Sequence, residues 1–457
     1  MTHELGIEGG TVVTATGRAR LHVYADGGRV TRLSAAVQPA RRRVDAGGLL
    51  VMPGMIDAHV HLMDPAEPER EDFPTGTAAA ARAGVTTVVE HTHGGPVRTA
   101  EELAAKREHV DDRARVDFAL AAHVWPEHLD EIPALWRAGV AYFKAFTCTT
   151  HGVPGLDAAL LAEAFRRIAA VDGVCLAHCE DESLTAHAEH ALREAARADG
   201  GIVPAWRSRE AELTAVAVAG LLARCTGVEL VIAHVSHLAV LEQVEHERAA
   251  GARVAAETCP QYLTLLEDEA LEQGALRKFT PPARARSRAE LDDMWRAVAD
   301  ARFDLVSSDH APSTRVQKIA GSVWEAPFGL PGLDTTFAIL LDAAHAGRLS
   351  YERVVELYAT APVRRYGLHP RKGRLEPGAD ADIVLVDPER RWTVRDEDVV
   401  SRAGWSPFAG RTLVGGAVQT YLRGELVASE GHVPAEPGTG RFVPGRGAAI
   451  VEQGAPA

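Results

Sequence analysis

The middle of the chain alternates short apolar runs with alanine-rich amphipathic stretches, and this alternation restricts the possible folds more than any other feature. Continuous apolar runs of this length are typical of strands in a parallel sheet that is covered on both faces. Eight strand–helix repeats predict an α/β fold closed into a (β/α)₈ barrel. The runs are VMPGMIDAH (51–59), GVTTVVEH (84–91), VDFALAAH (116–123), GVAYFKAF (139–146), GVCLAH (173–178), VELVIAH (228–234), ARVAAET (252–258) and FDLVSSD (303–309).

The two flanks of this region have another pattern. Residues 1–51 and 370–432 alternate apolar and polar positions between glycines, as in GGTVVTATGR and TLVGGAVQTYLRGELVASEG. Such segments are typical of short antiparallel strands joined by tight turns. We therefore predict one small β-sandwich domain made from both flanks, 1–51 and 370–432, and a barrel domain over 52–369. The remaining residues, 433–457, are rich in Gly, Pro and Ala and predict a loosely held tail.

Charge and composition exclude several classes of function. The net charge of −14 argues against a nucleic-acid partner, because binding a polyanion needs a concentrated basic face. The five cysteines show no framework spacing, which is typical of reduced thiols in a cytosolic protein. The N-terminal residues do not resemble a signal peptide, and no apolar run approaches the roughly 20 residues of a membrane span. We expect a cytoplasmic protein whose partner is a small molecule, not a membrane.

Most of the apolar runs end in a polar or ionisable side chain. In a barrel of parallel strands these carboxyl ends meet at one face, where such barrels carry their chemistry. His59 and His61 lie two residues apart on the first strand, so they point the same way and can share one metal ion. Lone strand-end histidines are more often structural, but several at successive strands favour metal binding. The strand-end residues are His59, His91, His123, Lys144, His178, His234, Thr258 and Asp309.

Lys144 interrupts a strand whose other side chains are apolar. A lone ammonium inside a barrel is costly, so it either loses its proton or finds a partner. It could extend to the rim of the barrel, or pair with Glu180 or Asp309. Alternatively, a deprotonated Lys144 could react with CO₂ to form a carbamate, an anionic ligand able to bridge two divalent ions. Chemistry alone favours neither interpretation; beside the other ligand-type residues, we favour the carbamate.

From about residue 46 to 430 the chain resembles the cyclic amidohydrolases: hydantoinases and dihydropyrimidinases, allantoinases and dihydroorotases. This group implies a binuclear metal centre, expected to hold zinc, and a homotetramer. Asp309 is the implied general base and later the proton donor to the leaving nitrogen. The motifs that carry the resemblance are PGMIDAHVHL, TG followed by AAARAGVTTVV, FKAF, AHCED, AETCPQYLTL, TPPAR, SSDHAP and GRLEPGADADIVLVDP.

The resemblance also implies how the ligands are shared between the two ions. The more buried ion is held by His59, His61, Lys144 and Asp309, and the other by Lys144, His178 and His234. In this scheme Lys144 is N6-carboxylated and bridges both ions. Two such ions lower the pKa of a shared water and polarise a carbonyl, which suits hydrolysis of a cyclic amide.

The ring that is opened is harder to predict. Dihydroorotases carry an Arg two residues after the second His, where this chain has Met63, so dihydroorotate is disfavoured. Hydantoinases place a Tyr five residues after the bridging Lys, where this chain has Thr149. ETCPQYL and FGLPGLDTT look like hydantoinase, and EHTHG like neither group. We expect a hydantoin-type ring, with allantoin ahead of other 5-substituted hydantoins or dihydropyrimidines. The positions that resemble allantoinase are Asp64, Pro65, Phe73, Thr75, Gly76 and Cys148.

Several further residues have weaker assignments. Thr280 and the backbone around Gly329 to Gly332 align with positions that bind the ring imide in hydantoinases, where a hydroxyl and backbone groups match an imide. Thr149 is also expected to contact the substrate, since it stands where hydantoinases have the Tyr that hydrogen-bonds the developing oxyanion. The roles of His91, His93 and His151 stay open. Glu180 and Asp181 are expected to begin a helix, where carboxylates suit the helix dipole.

Two interpretations from other classes also remain. A deaminase of the same superfamily would hold one ion and act on an exocyclic amine. A scaffold protein would keep the fold without turnover. Metal content separates these from a binuclear hydrolase.

Overall fold

The N-terminal flank forms seven short strands in a computed structural model that describes residues 2–368 and 370–448. Their burial reflects the apolar–polar pattern of the sequence; in β5, for example, Val30 is buried between exposed Arg29 and Thr31. The last of the seven, β7, leads directly into the barrel. The strands are β1 (His3–Glu8), β2 (Thr11–Thr14), β3 (Gly17–Arg20), β4 (His22–Asp26), β5 (Arg29–Ser34), β6 (Ala40–Asp45) and β7 (Leu50–Pro53).

Each of the eight apolar runs contains barrel strand, so the predicted fold class is confirmed. The third run is divided at Ala121 into two segments, but its backbone continues the same ladder, with Ala121 N–H donating to Glu90 O at 3.0 Å. All neighbouring strands are parallel. The strands are β8 (Met55–Val60), β9 (Val85–Glu90), β10 (Asp117–Leu120), β11 (Ala122–His123), β12 (Phe143–Phe146), β13 (Val174–His178), β14 (Glu229–Ile232), β15 (Val254–Thr258) and β16 (Leu305–Val306).

The barrel closes between its first and last strands, just above β8 and β16. A parallel bridge joins Val60 to His310, and His61 N–H donates to His310 O at 2.7 Å. The buried Asp57 side chain strengthens this closure, because it accepts from Ser308 N–H at 3.1 Å and from the Tyr358 hydroxyl at 2.6 Å. Closure therefore places the carboxyl end of the eighth strand beside the histidines of the first.

Helices cover the outside of the barrel. Most of the long ones begin at a side-chain cap; Asp157, for example, accepts from Leu160 N–H at the start of its helix. Short 3₁₀ segments lie at Pro126–Glu131, Gly274–Arg277 and Asp396–Asp398, and a π-helical turn at Glu356–Thr360. The α-helices are α1 (Phe73–Arg82), α2 (Ala100–Asp111), α3 (Ile132–Arg137), α4 (Ala158–Ala170), α5 (Glu182–Glu194), α6 (Ile202–Trp206), α7 (Arg209–Thr226), α8 (Leu238–Ala249), α9 (Pro260–Thr264), α10 (Glu269–Gln273), α11 (Arg288–Ala299), α12 (Arg315–Ile319), α13 (Thr336–His345), α14 (Tyr351–Val355) and α15 (Ala361–Tyr366).

The C-terminal flank returns to the first one as β17 (Ile383–Thr393), β18 (Thr412–Leu422) and β19 (Glu425–Ser429). A six-stranded sheet in the order β19-β18-β17-β7-β2-β3 combines strands of both flanks, and a four-stranded sheet, β5-β4-β1-β6, comes from the first flank alone. The β-sandwich built from both flanks is thus confirmed. Because β7 extends to Pro53, this strand crosses the boundary predicted at residue 51.

The predicted loose tail is wrong for residues 433–448, while residues 449–457 lie outside the described residues. Val443 N–H donates to Phe118 O at 2.7 Å, and Gly445 N–H donates to Gly139 O at 2.9 Å. The Arg446 guanidinium lies over the Trp136 ring at 5.7 Å. A Gly- and Pro-rich composition cannot reveal these contacts, since they follow the amino ends of the barrel strands. In the described part of the chain, no helix is long and apolar enough to cross a membrane.

Candidate active site

All six predicted metal ligands line one cavity at the carboxyl ends of the barrel strands. His59 lies in β8, Lys144 in β12 and His178 in β13, while His234 and Asp309 lie just beyond β14 and β16. Each strand contributes its last residues because parallel strands present their carboxyl ends to the same face. The cavity is lined by His59, His61, His93, Lys144, Phe146, His151, His178, His234, Phe279, Thr280, Asp309, Ala311 and Gly329.

The first group of donors meets at Asp309. Its Oδ1 lies 3.2 Å from Nε2 of His59 and 3.2 Å from Nε2 of His61, and Lys144 Nζ lies 3.4 Å from His59 Nε2. Four ligand atoms placed tetrahedrally at about 2.0–2.1 Å from a zinc ion are about 3.3–3.4 Å apart. The separations therefore fit donors arranged around a cation.

Two further histidines form a second group of donors. His178 Nδ1 and His234 Nε2 face one another at 3.0 Å, and both rings are almost completely buried. Nδ1 of His234 has no hydrogen-bond partner within the described residues. Imidazole nitrogens directed at each other inside a protein suit a shared cation. Histidine nitrogens able to bind metal are thus present both around Asp309 and between His178 and His234.

Lys144 is 1 % exposed, which excludes extension of its amine to the rim. Among the described side chains, His59 is its hydrogen-bonding neighbour, and neither Glu180 nor Asp309 reaches ion-pairing distance. Burial lowers the pKa of the Lys144 amine, and Asp309 and Glu257 oppose this only in part. Of the explanations open from sequence, the two that keep an ordinary paired or exposed ammonium are wrong. The donor set fits an anionic bridging group at this position.

Outer carboxylates and carbonyls orient the histidine rings. Glu257 Oε1 lies 2.8 Å from His59 Nδ1, and the His91 carbonyl lies 2.5 Å from His61 Nδ1. Such contacts fix which ring nitrogen is left for a metal. Burial lowers the pKa of His59 and His234 well below the ordinary histidine value. These two imidazoles are therefore neutral at pH 7, the state in which they bind metal.

The backbone is strained at two of the predicted ligands. Asp309 has φ 49° and His234 has φ 39°, values that non-glycine residues rarely adopt. Strain of this kind collects at functional sites, where the surrounding fold holds it in place. At Gly329 (φ 111°) a β-carbon would lie 2.3 Å from Ala311 O, so the close approach of this loop to the cavity requires glycine.

The four predicted substrate contacts fare differently. Thr280 and Gly329 line the cavity, although the Thr280 hydroxyl donates to Glu180 Oε2 at 2.6 Å. Thr149 is exposed, and its hydroxyl accepts from Gly155 N–H at 3.2 Å, so the structure places it outside the cavity lining. Gly332 also lies outside, where its N–H donates to His310 Nδ1 at 3.1 Å. The alignment of motifs did not predict the loop conformations that place Thr149 and Gly332 outside the cavity.

Glu180 is a site residue that the sequence interpretation assigned wrongly to a helix start. Asp181 alone caps α5, whereas Glu180 is fully buried, with its Oε2 2.8 Å from His178 Nε2 and 3.4 Å from Arg207 Nη1. Burial opposes ionisation of Glu180, but Arg207, His178 and Thr280 outweigh it and lower its pKa to about 2. Glu180 thus orients His178 as an anion, and its position two residues after a strand-end histidine was the available signal.

Comparison with known proteins agrees with this geometry. The family model described as the amidohydrolase family matches residues 50–427. The chain is 37% identical to the allantoinase of Rubrobacter xylanophilus, over 96% of this chain and 97% of that protein. It is 36% identical to the dihydroorotase of Halobacterium salinarum, over 91% and 94%. The solved L-hydantoinase from Arthrobacter aurescens superposes with a TM-score of 0.93 and 31% identity, over 97% and 100%.

The chain belongs to the amidohydrolase family, and within it to the cyclic amidohydrolases, which are hydrolases.

Proposed function

We propose that this protein opens a hydantoin-type ring with two divalent metal ions, and that allantoin is its substrate. The observation that carries the proposal is the convergence of His59, His61, Lys144, His178, His234 and Asp309 on one cavity, with neighbouring donors 3.0–3.4 Å apart. We assign His59, His61 and Asp309 to one ion, His178 and His234 to the other, and N6-carboxylated Lys144 to both. Two such ions, which we take to be Zn²⁺, would lower the pKa of a shared water and polarise the scissile carbonyl.

The residues of the chain have separate parts in this reaction. The Asp309 carboxylate accepts a proton from the attacking water and delivers it to the amide nitrogen as the ring opens. Glu257 and Glu180 hold the rings of His59 and His178. Phe146 and Phe279 form apolar walls, which limit the access of bulk water to the reacting atoms.

The lining of the cavity supports a neutral ring as the substrate. No arginine belongs to the described lining, and its one lysine is Lys144 at the metal site. Met63, at the position where dihydroorotases carry an Arg, is buried. A substrate carboxylate such as that of dihydroorotate would therefore find no guanidinium to pair with. The relative named dihydroorotase does not outweigh this observation.

The histidines of the lining support allantoin among the hydantoins. His93 and His151 stack at 4.4 Å between ring centroids and both line the cavity. One ring nitrogen of each can hydrogen-bond a polar 5-ureido group. The second candidate is a hydantoin with an apolar 5-substituent. Phe146 and Phe279 favour it, as does the similarity to L-hydantoinase.

The test is a ring-opening assay of the Zn²⁺-loaded enzyme on allantoin, 5-monosubstituted hydantoins, dihydrouracil and dihydroorotate. We expect the highest kcat/KM for allantoin and none above background for dihydroorotate. The Lys144→Ala protein, purified identically, controls for contaminating hydrolases. Dihydroorotate as the best substrate, or deamination of an exocyclic amine with one ion per chain, would contradict the proposal.

We further propose that the protein is cytoplasmic, from the spacing of its cysteines, and that it is a homotetramer, from the resemblance alone. Light scattering of the purified protein tests the tetramer directly.

A further inference from the structure

A second histidine cluster lies beside the site, at the ends of the second and third barrel strands. It consists of His91, His93 and His123, which are 1 %, 8 % and 2 % exposed. One ring nitrogen from each lies within 4.8 Å of the others. We call these three residues the His91 cluster.

The polar atoms of this cluster lack partners. Both ring nitrogens of His91, both of His123 and Nδ1 of His93 are buried without a hydrogen bond to any described residue. Buried polar nitrogens are almost always satisfied, because leaving one unpaired costs free energy. Five unpaired nitrogens at one place therefore indicate a bound group that the protein itself does not supply.

His91 can join two groups of histidines, because one of its ring nitrogens also lies within 4.8 Å of ring nitrogens of His59 and His61. We assign it to the His91 cluster because the nitrogens of His59 and His61 are already engaged. His59 and His61 each have one nitrogen held by the protein and the other directed to Asp309. The His91 ring contacts both of them, with centroids at 4.8 Å and 4.4 Å, but shares none of these bonds.

We propose that the His91 cluster binds a third divalent transition-metal ion through His91, His93 and His123. Three imidazoles without a hard oxygen ligand suit Zn²⁺ and neighbouring transition ions better than Mg²⁺ or Ca²⁺. The ligand positions that the protein leaves open are filled by water.

The surroundings of the cluster permit such an ion. A cavity of about 630 Å³ lies next to it, lined by His93, Lys106, Trp125 and His151 among others, and gives a path from solvent. The nearby Lys106 ammonium is compensated, because it lies 2.5 Å from the buried Glu90 carboxylate. The ion would also stiffen one wall of the active site, since the His93 ring lies 4.1 Å from the His61 ring.

The experiment is a count of metal per chain in the full-length protein. The protein is stripped with a chelator, reloaded with excess Zn²⁺ in bicarbonate buffer, desalted and analysed by mass spectrometry. We expect one ion fewer in His123→Ala than in the wild type. If the binuclear site is also filled, the wild type should hold three ions and the variant two. His109→Ala is the matched control: His109 lines the same cavity but bonds Asp64 at 2.7 Å, so this variant should keep the wild-type count.

A further variant separates this proposal from the proposed function. Lys144→Ala should lose the binuclear ions and still bind one Zn²⁺, which Lys144→Ala/His123→Ala should lose. An unchanged count in His123→Ala would overturn the third site, whatever the binuclear site does. If His123→Ala does not fold, an anomalous difference map of wild-type crystals at the zinc edge decides: a peak among the three rings supports the site, and its absence overturns it.

Discussion

Lys144 and Lys372 are both buried, at opposite ends of the barrel, but in very different surroundings. Lys372 Nζ lies 2.7 Å from Asp382 and 3.0 Å from Asp380 and also contacts Asp117. Among the described residues, Lys144 Nζ has only His59 within hydrogen-bond distance. Burial by itself would lower the pKa of both amines. The carboxylates reverse this for Lys372 and raise its pKa, while the pKa of Lys144 is lowered.

Under the proposed function, this contrast distinguishes a lysine that stabilises the fold, Lys372, from one that holds metal, Lys144. The Lys372 group joins the start of the third barrel strand to the return of the chain into the sandwich. Its three carboxylates are balanced by Lys372 together with Arg371, which pairs with Asp380, and Arg423, which pairs with Asp117. Around Lys144 the fold leaves imidazole nitrogens unpaired and keeps Asp309 and His234 in strained backbone. Balanced groups of this kind stabilise a fold, whereas unbalanced ones persist where a ligand completes them.

The largest effect is expected for Lys144→Ala. Removal of the bridging group should lower kcat/KM for ring opening at least about ten-thousandfold, since the metals supply both the nucleophile and the polarisation of the carbonyl. Zinc content measured on the same sample should fall as well. A variant that retained most of its activity and metal would refute the carbamate. Circular dichroism should show the wild-type fold.

Asp309→Asn sharpens the contrast between binding metal and moving a proton. The amide can still donate an oxygen to the metal but cannot accept the proton, so kcat should fall about a thousandfold. Substantial zinc should remain, by elemental analysis. If kcat stayed near the wild-type value, Asp309 would not be the general base.

Lys372→Met tests the other end of the barrel. Its removal leaves buried carboxylates without their common cation, and we expect a loss of about 3–5 kcal/mol in the free energy of unfolding. Urea denaturation measures this loss, and the folded fraction should keep its kcat. Lys144→Met is the matched variant. With both proteins stripped of metal, so that lost metal binding does not contribute, it should unfold at nearly the wild-type urea concentration, and it should stay inactive when zinc is restored. The comparison would fail if both variants lost the same amount of stability.

The smallest effect is expected for Glu257→Gln. Glu257 touches His59 Nδ1 without touching the cavity, so its loss should weaken metal binding about 10–100-fold. Competition with a zinc chelator measures this change. Added zinc should restore kcat, because the reacting groups remain. Unchanged zinc affinity would show that Glu257 does not orient His59.

The sequence predicted the barrel well because its strands are buried on both faces, which leaves an unbroken apolar run for each of them. The carboxyl ends of parallel strands lie at one face of a barrel, so the sequence also predicted that the strand-end residues would line one cavity. Thr149 and Gly332 were placed less well, since loops have no period. The sequence did not reveal the roles of Glu180, Glu257 and Lys372, because these roles depend on partners far away in sequence, such as Arg207 for Glu180. Composition likewise gave no sign that residues 433–448 pack along the barrel.

The carbamate of Lys144 between two ions can be seen in a crystal structure of the active, zinc-loaded enzyme grown with bicarbonate. We predict electron density for a carboxyl group on Lys144 Nζ, with one metal peak towards Asp309 and another towards His178 and His234. Density for an unmodified amine in crystals of the fully metallated, active enzyme would contradict it.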